Sequence, residues 1–168
     1  MKRLLFAFFA VMLTAGVATA QSYMVVDSEK VFKSIAAYNE ALSEIETLSA
    51  TYQKQVDDKF AAVETLYNNY MAQRASLSQS ARQAKENEIL SKESEATKFQ
   101  ESLFGNDGEL MKQRVELIQP IQAKVFGTIE SFSQQNGYDL VIDIASNPTL
   151  LYYSPKVDFT EKIIEALK

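Results

Sequence analysis

YDLVIDIASNPTLLYYSP, Tyr138 to Pro155, is the stretch on which the fold turns. It is dense in β-branched and aromatic residues and reads as two short strands around a turn at Asn147-Pro148. In the first strand Leu140, Ile142 and Ile144 point one way, and Asp139, Val141 and Asp143 the other. The second strand is LLYY, carrying Leu151 and Tyr153. A lone hairpin is marginal in water at best, so these strands need something to pair with.

Upstream, nearly everything reads as helix. No Gly or Pro occurs between Glu29 and Phe104. Leu42, Val56, Val63, Tyr70 and Leu77 share one heptad position, with Ser49 filling the gap. Tyr38, Ile45, Tyr52 and Leu66 share the second, interrupted at Lys59 and Gln73. So narrow a stripe over so many turns suits a coiled-coil seam that extends beyond a compact core. The seam thins after Leu77, and SLSQS, Ser76 to Ser80, is the weakest helical stretch, so a reversal is expected there. Ala96, Phe99, Leu103, Leu110, Leu117, Ile121, Val125, Ile129 and Phe132 then mark a return limb. GNDG, Gly105 to Gly108, interrupts it as a kink or short break, and Pro120 is a second bend. Gly137 is a good residue to end the helix. The thin tip and GNDG are expected to act as hinges.

At the other end, SYMVVDS, Ser22 to Ser28, supplies a short apolar strand, with Ser28 as a helix cap. Near the C-terminus Asp158 is expected to cap a last helix, with Glu161 completing a capping box and Ile163, Ile164 and Leu167 facing inward. The strands at the two ends of the chain therefore flank the helical hairpin and meet at its base. Three short strands and a small helix make too little core to stand alone, and their edges invite pairing. Several copies joined through Met24, Val25, Val26, Leu140, Ile142, Ile144, Leu151 and Tyr153 would solve both problems. The expected fold class is α+β, mostly α: a long antiparallel helical hairpin on a small β association body. The body is assigned to residues 21–35 and 137–168, and the hairpin to 36–136 with its tip near 76–82.

Composition narrows the function. Lys2 and Arg3, the apolar run Leu4 to Leu13 and Ala18-Thr19-Ala20 read as a secretory signal peptide cleaved after Ala20. The full chain has a formal charge of −5, and losing Lys2 and Arg3 with the leader makes it more acidic still. Nucleic acid is a poor partner for such a chain. The sequence contains no Cys, His or Trp, which removes disulfides, thiolate sites, the commonest general base and the commonest transition-metal ligand. Asp139, Asp143 and Asp27 could be imagined as a carboxylate pair, but nothing builds the pocket that acid–base chemistry needs. GNDGE is too short for a calcium loop and is not a phosphate loop. No catalytic, metal or cofactor residue is assigned, and no enzyme activity or cofactor is expected.

MVVDSEKVFKS, Met24 to Ser34, and GYDLVIDIASNPTLLYYSPKVDFTEKIIEAL, Gly137 to Leu167, resemble the two ends of the periplasmic chaperone family Skp, also called OmpH. The resemblance spans the chain after the leader, with the long hairpin matching in length and style. It implies a homotrimer with a β-barrel-like body and three helical hairpins around a cavity. It also implies an ATP-independent periplasmic holdase for unfolded outer-membrane β-barrel proteins. The best-known members are basic, whereas this chain is acidic, which weighs against binding lipopolysaccharide. Arg74, Arg82 and Lys85 still make the tip locally positive, against six acids from Glu40 to Glu64, and suggest a weak contact with anionic membrane surface. Aromatics on the hairpin are the candidate client contacts: Phe60, Tyr67, Tyr70, Phe99 and Phe104. Tyr52 and Tyr70 lie on the heptad seam, where packing is the plainer explanation. The competing reading is a structural or adaptor coiled-coil protein of the cell envelope.

Overall fold

The N-terminal apolar strand pairs with the first C-terminal one, and the two run parallel. In the computed structural model, which describes residues 22–168, β1 (Tyr23–Val26) lies beside β2 (Leu140–Asp143) with Tyr23 opposite Leu140 and Val26 opposite Asp143. The expected leader falls outside the described residues. Parallel neighbours cannot be joined by a tight turn; they need a long crossover. Here the crossover is the entire helical segment between them. Ser22 and Val26 offer their carbonyls to the β2 side, accepting from Asp139 N at 2.7 Å and Ile144 N at 3.0 Å. Val25 offers its carbonyl on the opposite edge, to Phe159 N at 3.0 Å, and forms a parallel bridge with Asp158. β1 is thus an inner strand.

This corrects two expectations. LLYY forms no strand: beyond Asp143 the chain runs through turns and irregular backbone to a single 3-10 turn at Pro155–Val157. Strand propensity was present in Leu150 to Tyr153, but the chain gives that segment no partner to pair with. Met24, Val25 and Val26 are fully buried within one chain, so their side chains form its core and are closed to association.

The rest of the body packs on that inner strand. Helix α5 (Thr160–Ala166) buries Ile163 and Thr160. Phe132, Tyr138 and Phe159 form a three-ring cluster, with centroids 4.9 Å apart for Tyr138 and Phe159 and 5.9 Å for Phe132 and Phe159. Asp158 turns into α5 by accepting from Thr160 N at 3.0 Å, while its own N–H goes back to Pro155 O. The helix therefore starts one residue later than a capping box on Asp158 requires.

The helical segment is four helices: α1 (Ser28–Lys33), α2 (Ala36–Gln73), α3 (Gln79–Phe104) and α4 (Glu109–Asn136). Asp27 caps α1 through Lys30 N at 3.0 Å; Ser28, the expected cap, turns its hydroxyl to Asp143 instead. A break at Ser34–Ile35 separates α1 from α2 without Gly or Pro. Ile35 is extended there, and the Asn39 amide donates to Lys33 O at 2.9 Å, satisfying a carbonyl that the break exposes. The 38 residues of α2 extend about 57 Å. The reversal occupies Arg74–Ser78, slightly ahead of the expected 76–82, and Ser78 caps α3 by accepting from Ala81 N. Tyr52 meets Phe104, Lys59 meets Phe99 and Tyr70 meets Glu86, so the limbs run antiparallel. Pro120 lies inside α4, which continues past it to Asn136.

The seam lies where the heptads put it over most of α2, with Ile45, Val56 and Tyr70 buried. It drifts at the start, where Leu42 is exposed and Ala41 is buried in its place. A straight helix of 3.6 residues per turn cannot hold a strict seven-residue row indefinitely. The chain divides into two compact units, residues 32–126 and a second that joins 22–31 to 127–168.

Candidate functional site

Two kinds of surface are open to partners: one on the helical unit, one on the body. On the helical unit the seam takes one face of each helix and leaves others free. Of the five aromatic candidates, Tyr67 stands about half exposed. Phe60, Phe99 and Phe104 are half-buried. The Lys59 ammonium sits 4.7 Å above the Phe99 ring, and Phe104 is edge-on to Tyr52 at 6.5 Å. Tyr70 is only 6% exposed, its ring packed in the seam and its hydroxyl donating to Glu86 across the hairpin. That hydrogen bond, followed by burial, pushes its phenol pKa up. Tyr70 is therefore a seam residue and not an accessible contact.

Other residues, outside the aromatic candidates, are about as open as Tyr67 or more so. Leu42 and Met71 on α2, Leu90 on α3, and Met111, Val115 and Phe126 on α4 all expose large apolar side chains. On α4 the signal was in the sequence. Met111, Val115, Ile118 and Phe126 form a second row at helical spacing beside the inward row of Leu117, Ile121 and Val125. A helix with apolar residues on two faces has more to cover than one neighbour supplies.

Between α2 and α3 lie two open clefts. The larger, about 330 Å³ near the turn, is lined by Leu66, Asn69, Tyr70, Gln73, Leu77, Lys85, Glu88 and Ile89. The smaller, about 130 Å³, lies among Lys59, Ala62, Val63, Leu66, Lys92, Glu95 and Ala96. At the turn itself Lys85 is paired with Glu88 at 2.7 Å, and the Arg82 guanidinium donates to Leu77 O at 3.1 Å. Glu88 thus offsets the charge of Lys85, while Arg82, bonded to a neutral carbonyl, keeps its own.

On the body, Leu151 is 94% and Tyr152 80% exposed, in irregular chain beside half-buried Tyr153. Leu140 is exposed, and Ile142 and Ile144 are half-buried. The carboxylates of this region act as fasteners. Asp139 accepts from Ser22 N at 3.1 Å. Asp143 accepts from Ser28 N at 3.1 Å, Ser28 Oγ at 2.6 Å and Ala145 N at 3.0 Å. Partial burial pushes the Asp143 carboxyl up, but the hydrogen bonds from Ser28, Ala145 and Ser146 together outweigh it and hold its pKa below the usual value. Among the described residues no group of three or more Asp or Glu is placed to hold a metal ion, and no buried side-chain polar atom lacks a hydrogen bond. No helix among them is long and apolar enough to cross a membrane.

The sequence profile of the OmpH-like outer membrane protein family matches residues 22–167. The chain belongs to the OmpH-like family. An uncharacterised protein of Aquifex aeolicus (strain VF5) is 27% identical over 161 residues, covering 95% of this chain and 94% of the other. A crystal structure from Caulobacter crescentus CB15, described as OmpH-like, superimposes with a TM-score of 0.67 at 12% identity, covering 89% of this chain and 85% of that one. At that identity the likeness speaks for the fold alone. The OmpH-like fold therefore accounts for the mostly helical chain, its long hairpin and its small sheet.

Proposed function

We propose that this OmpH-like chain is a non-enzymatic, ATP-independent holdase that works in the periplasm as a homotrimer and keeps unfolded outer-membrane β-barrel proteins soluble. The observation that carries the reading is the set of large apolar side chains left open on the three long helices, among them Tyr67, Met71, Leu90, Met111, Val115 and Phe126. Scattered, flexible apolar contacts with no fixed pocket suit clients that share apolar surface but no common shape. Each contact is weak, and several copies around one client add up through effective concentration. The exposed Leu151 and Tyr152, and the unpaired edge of β2, favour assembly, because a second chain can supply the missing strand partner. The Caulobacter relative is provisionally described as an outer membrane chaperone, which supports the same reading. The expected leader supports the compartment. Arg74 and Arg82 at the turn favour a weak contact with anionic membrane surface.

The test is light scattering on a sizing column, with the mature protein alone and then with a urea-unfolded outer-membrane barrel. The reading expects a trimer that takes up client and stays in solution. A monomer or dimer that leaves the barrel to aggregate would reject it and favour a structural role in the envelope.

A further inference from the structure

We propose that residues Gly105–Gly108 form a fixed elbow in the helical hairpin, not a hinge. Two glycines around Asn106-Asp107 look like slack in the chain, but the geometry is tight at each step. Gly105 ends α3 with its N–H on Glu101 O at 2.8 Å. Its backbone, φ −62° and ψ 171°, is one that any residue adopts, so conformational freedom is not why glycine stands there. Space is. A Cβ on Gly105 would lie 2.5 Å from Glu101 O. A Cβ on Gly108 would lie 2.7 Å from Leu103 O and 2.8 Å from Gly105 N. All three are backbone atoms and cannot swing aside as a side chain could.

The elbow is also closed by hydrogen bonds. Gly108 N donates to Gly105 O at 2.9 Å, and Gly108 O accepts from Met111 N and Lys112 N, starting α4. Gly108 and Leu103 are both buried. Ala96, Leu103, Leu110 and Leu117 keep a spacing of seven straight through the interruption. Gly127, within α4, is the contrast: a Cβ there meets nothing within 4 Å. The inference concerns the helical unit alone and holds whatever the protein binds. A grip that widens for a larger client has to widen elsewhere.

The chain has no Cys, so introduced pairs label cleanly. Spin labels at Gln100→Cys and Glu116→Cys, both exposed, measure the distance across the elbow. With labelled chains diluted by an excess of unlabelled ones, so that distances between copies drop out, a fixed elbow gives one narrow distance distribution in the otherwise unchanged protein. Adding Gly105→Ala or Gly108→Ala shifts or broadens it and lowers Tm by about 5 °C or more. Gly127→Ala leaves the distribution narrow and Tm equal or higher. A broad distribution in the unchanged protein overturns the proposal. So does a narrowing in Gly105→Ala or Gly108→Ala with Tm intact, which is what a hinge predicts. If the glycine variants fail to fold, the width in the unchanged protein decides.

Discussion

Thr160 ties three segments of the body together through one hydroxyl. It accepts from Asp27 N at 2.9 Å, just past the end of β1, and donates to Asp158 Oδ1 at 2.6 Å, just ahead of α5. The residue is buried, so the groups it serves have little water to fall back on. Thr160→Val keeps the shape and removes both bonds; it is expected to cost about 1–3 kcal/mol in urea unfolding, with Thr160→Ser recovering most of the loss. Asp143 adds a pH dependence. Its hydrogen bonds set its folded pKa below that of the unfolded chain. Its contribution is therefore complete above an unfolded value of about 3.9, and is lost as pH falls through the lower folded value. Unfolding curves of the parent protein and Asp143→Asn should differ near neutrality and converge in strong acid. A difference that persists in acid would mean that the substitution acts through packing.

Along the helices the hairpin rests on its seam, and Val56 is the best-buried residue of α2 at 1% exposure. Val56→Ala should lower stability by about 1–2 kcal/mol, read as a fall in the urea midpoint. Much at this scale was legible in the sequence. A seven-residue row says where two helices touch, and two glycines flanking Asn-Asp say where the return limb is interrupted. The break at Ser34–Ile35 was not legible, because Asn39, four residues inside the next helix, supplies the hydrogen bonds that hold it. Nor was the fate of Leu150 to Tyr153. Strand propensity reports a readiness to pair, not whether the same chain supplies the partner. The aromatic candidates divided for a related reason. Tyr67 and Tyr70 are three positions apart, and one faces solvent while the other is buried in the seam. Periodicity had placed Tyr70 on the seam; the open row Met111, Val115 and Phe126 was passed over because only one of its members is aromatic.

For the whole molecule, the exposed segment offers the cleanest separation of folding from assembly. Leu151 and Tyr152 touch little of their own chain, so Leu151→Asp with Tyr152→Asp should leave helicity and Tm of the dilute protein nearly unchanged. The proposed trimer should dissociate at concentrations where the parent remains assembled, as read by light scattering. Equal masses for both would remove this segment from the interface. The parallel sheet has a consequence of its own for the order of events. Ser22 and Asp139, which fasten one end of the strand pair, are 117 positions apart in the chain. During synthesis β1 emerges early and must wait for nearly the whole polypeptide before its partner exists. The hairpin needs only closer contacts and can form meanwhile, but the sheet closes a loop of high contact order and is slow for that reason. Until then Met24, Val25 and Val26, among the most deeply buried residues of the finished body, are without cover. By the order of its own strands, a protein proposed to shelter unfinished chains spends its early life as one.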